Sequence, residues 1–334
     1  MNSTERIRCA LVTTGGTIVS RIDPSTGLAM PVLDGRELVS SLSAVGELPN
    51  VDIELHEVAR VSSPHITPQH WQQLHDSIQS LLAREDIAGV VVAHGTAVLE
   101  ETAWFLDLTL KTDKPVIVIG AQRNTSEYDT DGPRNLYNAL LLCRHPDARG
   151  KGVLVTLNSH VNAAREVTKS HTVDVETFQS GEWGYLASIV RDRVRFHRAP
   201  LRRVHVPLVK DEALPRVDVV SMYAGADGAL LDAAASLNPG GIVVQAVASG
   251  HLNGPMFDAV VRALDRGIPV VVSTRIPRGG TRPGYGFDGS SQRLVDAGAV
   301  LSSDLSPWKS RVLLMLAVHN GISTSAELTE LFDA

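Results

Sequence analysis

GVVVAHGTAVLEETAWFLDLTL, residues 89–110, is the stretch whose reading decides the fold. Residues 89–93 are a short apolar run rich in β-branched valine, with no polar residue to face solvent, as in a strand buried on both sides. His94, Gly95 and Thr96 interrupt it. Val98, Leu99, Ala103, Phe105, Leu106 and Leu110 then recur at helical spacing behind Glu100 and Glu101, whose negative charge suits the first turn of a helix. The stretch therefore predicts a central parallel strand, a tight turn and a helix. The N–H groups that open such a helix face out at the carboxyl end of the sheet, where open α/β folds bind their ligands. A second copy stands nearer the start: an apolar run at 9–13, followed by Thr14, Gly15, Gly16 and Thr17. Each predicted strand end presents a threonine.

Working outward, residues 18–35 are rich in turn formers without a clear period, which suits a loop that closes over a substrate. A short helix is expected at 34–42, a strand at 51–61, and a strand-end loop at 62–67. Trp71, Leu74, Ile78, Leu81 and Leu82 give 68–84 one apolar helical face. A buried strand at 115–119, a polar loop at 120–135, a helix at 136–144 and a strand at 152–157 follow. The polar segment 158–170 carries Arg165, Glu166, Thr168 and Lys169. From 191 the chain turns basic and proline-punctuated, with alternating arginines that read as a solvated face. Strands at 217–222, 241–247 and 268–274 then alternate with helices at 228–237, 255–266, 291–297 and 307–319, the pattern of a second parallel sheet with right-handed crossovers.

Length agrees with this division. A chain of 334 residues exceeds what one core organises, and 43% hydrophobic residues suffice for two. The expected limits are 1–190 for an N-terminal α/β catalytic domain, 191–216 for a linker and 217–334 for a C-terminal α/β domain. A net charge of -6 and a pI near 6.1 argue against nucleic acid or a membrane surface and favour a small-molecule partner. Cys9 and Cys143 read as buried free thiols in a reducing compartment. No ligand spacing suggests a metal, no cofactor is implied, and no apolar h-region or membrane-length run appears, so a cytoplasmic protein is expected.

The chemistry rests on hydroxyls near one lysine. A threonine hydroxyl becomes a nucleophile when a base removes its proton, and a lysine with lowered pKa in contact with another hydroxyl can serve. Taken alone, a threonine after glycine is more often a helix cap and Lys169 a surface lysine.

TTGGTI at 13–18, AHGTxxLEETA at 93–103, GAQR at 120–123, DGPRNLYNA at 131–139, REVTK at 165–169 and PxKSRVLL at 307–314 run in order along the chain. Together they resemble the bacterial asparaginase/glutaminase family of threonine amidohydrolases. The resemblance implies a flavodoxin-like N-terminal domain, a smaller Rossmann-like C-terminal domain, and a homotetramer built as a dimer of dimers whose active sites are completed by neighbouring subunits. It places Thr17 at the nucleophile, Thr96 and Lys169 at the proton relay, and Ser63 at the substrate α-carboxylate. Backbone N–H groups near Gly95 and Thr96 become oxyanion donors. The implied substrate-binding set also takes in Ser249 and Arg282.

Departures from the family pattern cluster around one substrate group. The motif HGTD, whose aspartate joins the lysine network and binds the substrate α-ammonium, reads HGTA here, with Ala97. Pro64 stands where a second ammonium contact is often glutamine, and Met30 falls at the loop tyrosine that activates the nucleophile. The segment 274–285, TRIPRGGTRPGY, lacks the acid expected from the partner subunit and has Arg275, Arg278 and Arg282 instead. An ammonium desolvated without carboxylate partners is costly. These changes imply an amidohydrolase for a small carboxylate-bearing substrate without a free α-amine, such as an N-acylated or deaminated amide or a lactam-like ring. An L-asparaginase and a catalytically weak ligand-binding homologue are the alternatives. An inactivating Asp-to-Ala change would account for Ala97 alone, and not for Pro64 or the arginines.

Overall fold

The computed structural model describes residues 6–31, 35–46, 48, 50–201 and 204–334. Two compact units, Met1–Arg203 and Val204–Ala334, divide inside the basic stretch 191–216. The elements of the first are β1 (Ile7–Thr13), β2 (Ser20–Ile22), β3 (Ala29–Pro31), α1 (Gly35–Ser40), β4 (Val51–Glu57), α2 (Pro68–Leu82), β5 (Ile87–Ala93) and α3 (Leu99–Thr109). They continue with β6 (Val116–Ile119), α4 (Gly132–Arg144), β7 (Val153–Leu157), β8 (His160–Ala163), β9 (Thr168–Lys169), β10 (Phe178–Gln179), β11 (Ala187–Val190) and β12 (Arg193–Phe196).

The main sheet runs β12-β11-β8-β7-β6-β5-β1-β4. From β4 to β7 every pairing is parallel, in the flavodoxin-like order for those five strands. Its core strands are apolar on both faces, as helices on each side require. Cys9, Leu11, Val91 and Ile117 pack in one cluster with Leu136 and Leu140 of α4, while α2 lies against β5 and α3 against β7. Trp71 of α2 stacks on Phe105 of α3 with ring centroids 5.3 Å apart. Pro68 occupies the first turn of α2, where its missing N–H costs no helical hydrogen bond, and the Thr67 side chain caps that end. Both cysteines are buried free thiols, and Cys143 is held above the ordinary thiol pKa by its hydrogen bond with Cys9 and by burial.

Beyond β7 the sheet becomes antiparallel through β8, β11 and β12. Asn158 and Ser159 cause the reversal: both have positive φ, 49° and 61°, so the two residues form the primed type of turn whose twist suits a hairpin. This extension corrects two sequence expectations. The polar segment 158–170 contains β8 and β9, and the basic stretch expected to link the domains opens with the edge strand β12. Likewise, the stretch 18–35, expected without regular structure, contains the hairpin of β2 and β3, in which Arg21 pairs with Met30. Thr125 ties that hairpin down by donating to the Ser20 carbonyl at 2.8 Å. Residues 32–34, including the expected start of a helix at Asp34, and the first five residues lie outside those described.

The second unit holds β13 (Val217–Ser221), α5 (Ala229–Ser236), β14 (Gly241–Ala246), α6 (Gly254–Asp265), β15 (Val270–Thr274), α7 (Ser291–Asp296), β16 (Val300–Leu301), α8 (Pro307–His319) and α9 (Ser325–Asp333). Its four strands are all parallel, in order β13-β14-β15-β16. Two elements, β16 and α9, were not legible: β16 is a two-residue strand, and α9 is a peripheral helix with only Leu328 and Phe332 buried. The chain is thus the expected two-domain α/β protein, with a large N-terminal sheet and a small parallel C-terminal one. Among the described residues no helix is long and apolar enough to cross a membrane.

Candidate active site

The loops that leave the carboxyl ends of β1, β4, β5 and β6 meet at one place because glycine lets them. Gly15 and Gly16 have φ of 105° and 88°. A methyl group on Gly15 would lie 2.3 Å from the Val61 carbonyl oxygen, and one on Gly16 would lie 2.2 Å from Gly95 Cα. On Gly95 it would stand 2.6 Å from Ser63 Oγ, and on Gly120 2.9 Å from Thr96 Cγ2. No side chain fits any of these contacts, which explains the residue type at each turn. β4 and β5 flank β1, so the chain winds away from β1 in both directions and leaves a crevice at that switch point.

Thr17 opens a 3-10 turn, Thr17–Val19, directly after the two glycines and is partly buried. Thr96 is buried, and its Oγ1 is 2.8 Å from Lys169 Nζ. These residues are 73 apart in sequence. Lys169 arrives on the short hairpin of β9 and β10, opposite Phe178. Burial lowers its pKa, and the negative charge of Glu100 acts in the opposite sense. Ser63 is buried at the start of a 3-10 turn and accepts the Ala97 N–H at 3.1 Å. Its own hydroxyl proton therefore stays available to an anion. Pro64 is exposed in the first turn beside it, and Ala97 is exposed as well.

Behind this turn stands a chain of hydrogen bonds that sequence reading missed. Trp71 Nε1–H donates to Thr102 Oγ1 at 2.9 Å, and that hydroxyl meets His94 Nε2 at 3.0 Å. His94 Nδ1 lies 2.7 Å from the Gly95 carbonyl oxygen, which can only accept. The ring proton therefore sits on Nδ1, and Thr102 donates to Nε2. Burial pushes the His94 pKa down to about 4, so the ring is neutral at physiological pH and braces the turn between Gly95 and Thr96. Gln122 and Glu100 were also missed. Gln122 Oε1 accepts from Lys169 Nζ at 3.0 Å, and the buried Glu100 sits in the first turn of α3 with its Oε1 3.4 Å from the Lys169 peptide nitrogen. Both lie inside stretches already quoted, GAQR and LEET, but nothing local ties them to a lysine 47 or 69 residues away.

The remaining sequence candidates are placed differently. Met30 is half exposed in the β2–β3 hairpin, whose second strand lies against the Thr17 turn. Ser249 and Arg282 adjoin one another within the second unit, where the Arg282 N–H donates to the Ser249 carbonyl at 3.2 Å. His251 Nδ1 accepts from the Ser291 N–H, so its Nε2–H donates to Ser249 Oγ at 3.2 Å and cannot act there as a base. Arg275, Arg278 and Arg282 are exposed.

Comparison with known proteins agrees with this architecture. The family model for the N-terminal asparaginase domain matches residues 8–202, and that for the glutaminase/asparaginase C-terminal domain matches 216–332. The chain is 36% identical to an L-asparaginase of Bacillus licheniformis over 92% of its own length and 94% of the relative's. It is 35% identical to L-asparaginase 2 of Escherichia coli K12, over 92% and 88%. The crystal structure of a probable cytoplasmic L-asparaginase from Campylobacter jejuni superposes with a TM-score of 0.87 at 32% identity, covering 98% of this chain and 99% of that one. Sequence motifs, fold and relatives converge: the chain belongs to the asparaginase/glutaminase family of amidohydrolases, which act on carbon–nitrogen bonds other than peptide bonds.

Proposed function

We propose that this amidohydrolase uses Thr17 as its nucleophile and Thr96 with Lys169 as its proton relay, on a small carboxylate-bearing amide that lacks a free α-amine. The observation that carries the reading is the 2.8 Å contact between Lys169 Nζ and Thr96 Oγ1, in a loop packed through Gly95 against the Gly16–Thr17 turn. Burial favours the neutral amine, the form able to take a proton. Thr17 Oγ1 attacks the amide carbonyl, and its proton passes through Thr96 to Lys169. N–H groups of Gly95 and Thr96 stabilise the oxyanion, the Ala97 N–H being committed to Ser63. Return of the proton to the nitrogen expels ammonia and leaves an ester on Thr17, which water then hydrolyses by the same relay.

Ser63 donates its hydroxyl proton to the substrate carboxylate. Ala97 and Pro64 supply no charge to hold an ammonium. Ammonia release from succinamate, N-acetyl-L-asparagine and L-asparagine tests the specificity: the first two are expected to be turned over with higher kcat/KM. Faster L-asparagine turnover would favour the second reading, an L-asparaginase, which the activities of the relatives support. Lys169→Met should abolish turnover, by a factor of about 10² or more, with thermal unfolding unchanged. A wild-type rate in that variant would remove the relay from the mechanism.

A further inference from the structure

We infer that Gln122 is the positioning residue for Lys169: it aims the lone pair of the lysine amine at Thr96 and does so without a charge. The inference rests on the Thr96–Lys169 relay proposed above. Among the described residues, two side-chain oxygens lie at hydrogen-bond distance from Lys169 Nζ, Thr96 Oγ1 at 2.8 Å and Gln122 Oε1 at 3.0 Å. An amide oxygen can only accept, so a lysine N–H must point at Gln122. In the neutral amine this leaves the lone pair free to face the Thr96 hydroxyl.

The amide cannot turn round. Gln122 Nε2 donates to the carbonyls of Asp174 at 3.1 Å and Thr172 at 3.4 Å, neither of which could serve an inverted amide oxygen. Its backbone is equally held: the Gln122 and Arg123 N–H groups donate to Asp131 Oδ1 at 3.0 and 2.9 Å, and Asn135 Nδ2 donates to Asp131 Oδ2 at 3.0 Å. Gln122 therefore spans from the loop after β6 to the segment that follows Lys169. Among the described residues, the groups acting on the lysine amine are Thr96 from the loop after β5, Gln122 from the loop after β6, and the charge of Glu100 from α3. Glu100 is the charged one, and its Oε2 has no hydrogen-bond partner among the described residues. A neutral acceptor at 122 thus limits how strongly the surroundings hold the ammonium form.

Gln122→Glu and Gln122→Met test this, since both keep the length of the side chain. The chain has six lysines, so 13Cε-lysine NMR titration is tractable, with Lys169→Met assigning the resonance. Gln122→Glu should raise the Lys169 midpoint by about one pH unit or more, and carry the acidic limb of kcat/KM for succinamate and L-asparagine upward with it. Gln122→Met should leave the midpoint unraised and lower kcat about 10- to 100-fold with little change in KM, because the amine is no longer aimed. Thermal unfolding within a few degrees of wild type shows that either variant is folded. If Gln122→Glu leaves the midpoint in place, or Gln122→Met keeps wild-type kcat, the positioning role is wrong. Full activity in Lys169→Met overturns the relay itself, whatever the Gln122 variants do.

Discussion

Ala97→Asp separates a rebuilt pocket from an L-asparaginase that lacks one group. Position 97 is exposed, and its N–H is held by Ser63 Oγ at 3.1 Å, so an introduced carboxylate would stand in water at the mouth of the site. At about 4 Å from an ammonium, a solvated carboxylate contributes roughly 1 kcal/mol, against about 4 kcal/mol at an effective dielectric near 20. One kcal/mol is about fivefold in affinity. An L-asparaginase missing only this partner, in which bound substrate excludes water from the pair, should instead recover roughly 3–5 kcal/mol, or about 10²- to 5 × 10³-fold, when the pair is restored. Steady-state ammonia release from L-asparagine and succinamate decides between them. We expect less than a tenfold gain in kcat/KM for L-asparagine, because Pro64 supplies no second partner for an ammonium, together with a fall in succinamate turnover. A KM for L-asparagine that drops into the micromolar range on this single change would refute the reasoning.

Two further outcomes follow from the geometry behind the site. Gly16→Ala imposes a side chain at φ 88° and a methyl group 2.2 Å from Gly95 Cα. Strain of about 1–2 kcal/mol and overpacking of about 1–3 kcal/mol should appear as lost stability in urea unfolding, with kcat/KM down at least ~10²-fold as the Thr17 turn moves; a wild-type rate would show that this turn does not position the nucleophile. His94, held neutral with a pKa of about 4, binds no proton in the folded state between pH 6.5 and 4 whereas the unfolded chain does. Stability should therefore fall by about 3 kcal/mol as pH drops through that window, and His94→Gln should remove that part of the slope in urea titrations at pH 7.5 and 4.5.

The parallel layers of both units were legible because their signals are local. Apolar valine runs at 89–93 and 241–247 and the helical spacing behind Glu100 are set by which faces must avoid water, and neighbouring residues carry that information. The antiparallel extension was not legible for the opposite reason. Its strands are short, β12 is only half covered, and the reversal depends on Asn158 and Ser159 adopting positive φ, which polar loop residues do not announce. Within the candidate site, Thr17, Ser63, Thr96 and Lys169 were expected from motif resemblance, and the tertiary structure brings Lys169 to Thr96 and Ser63 to the Gly95 turn.

What the sequence by itself determined was the alternation of strand and helix, the division into two α/β domains, and the family. Only the tertiary structure decided the partners of that chemistry: Gln122 on Lys169, the buried charge of Glu100 beside it, and the neutral His94 beneath the Gly95 turn. A side chain's hydrogen-bond partner depends on where distant loops converge, and that convergence is fixed here by glycine contacts between strands far apart in the chain. Periodicity reports the burial of neighbours within one element and carries no record of those contacts.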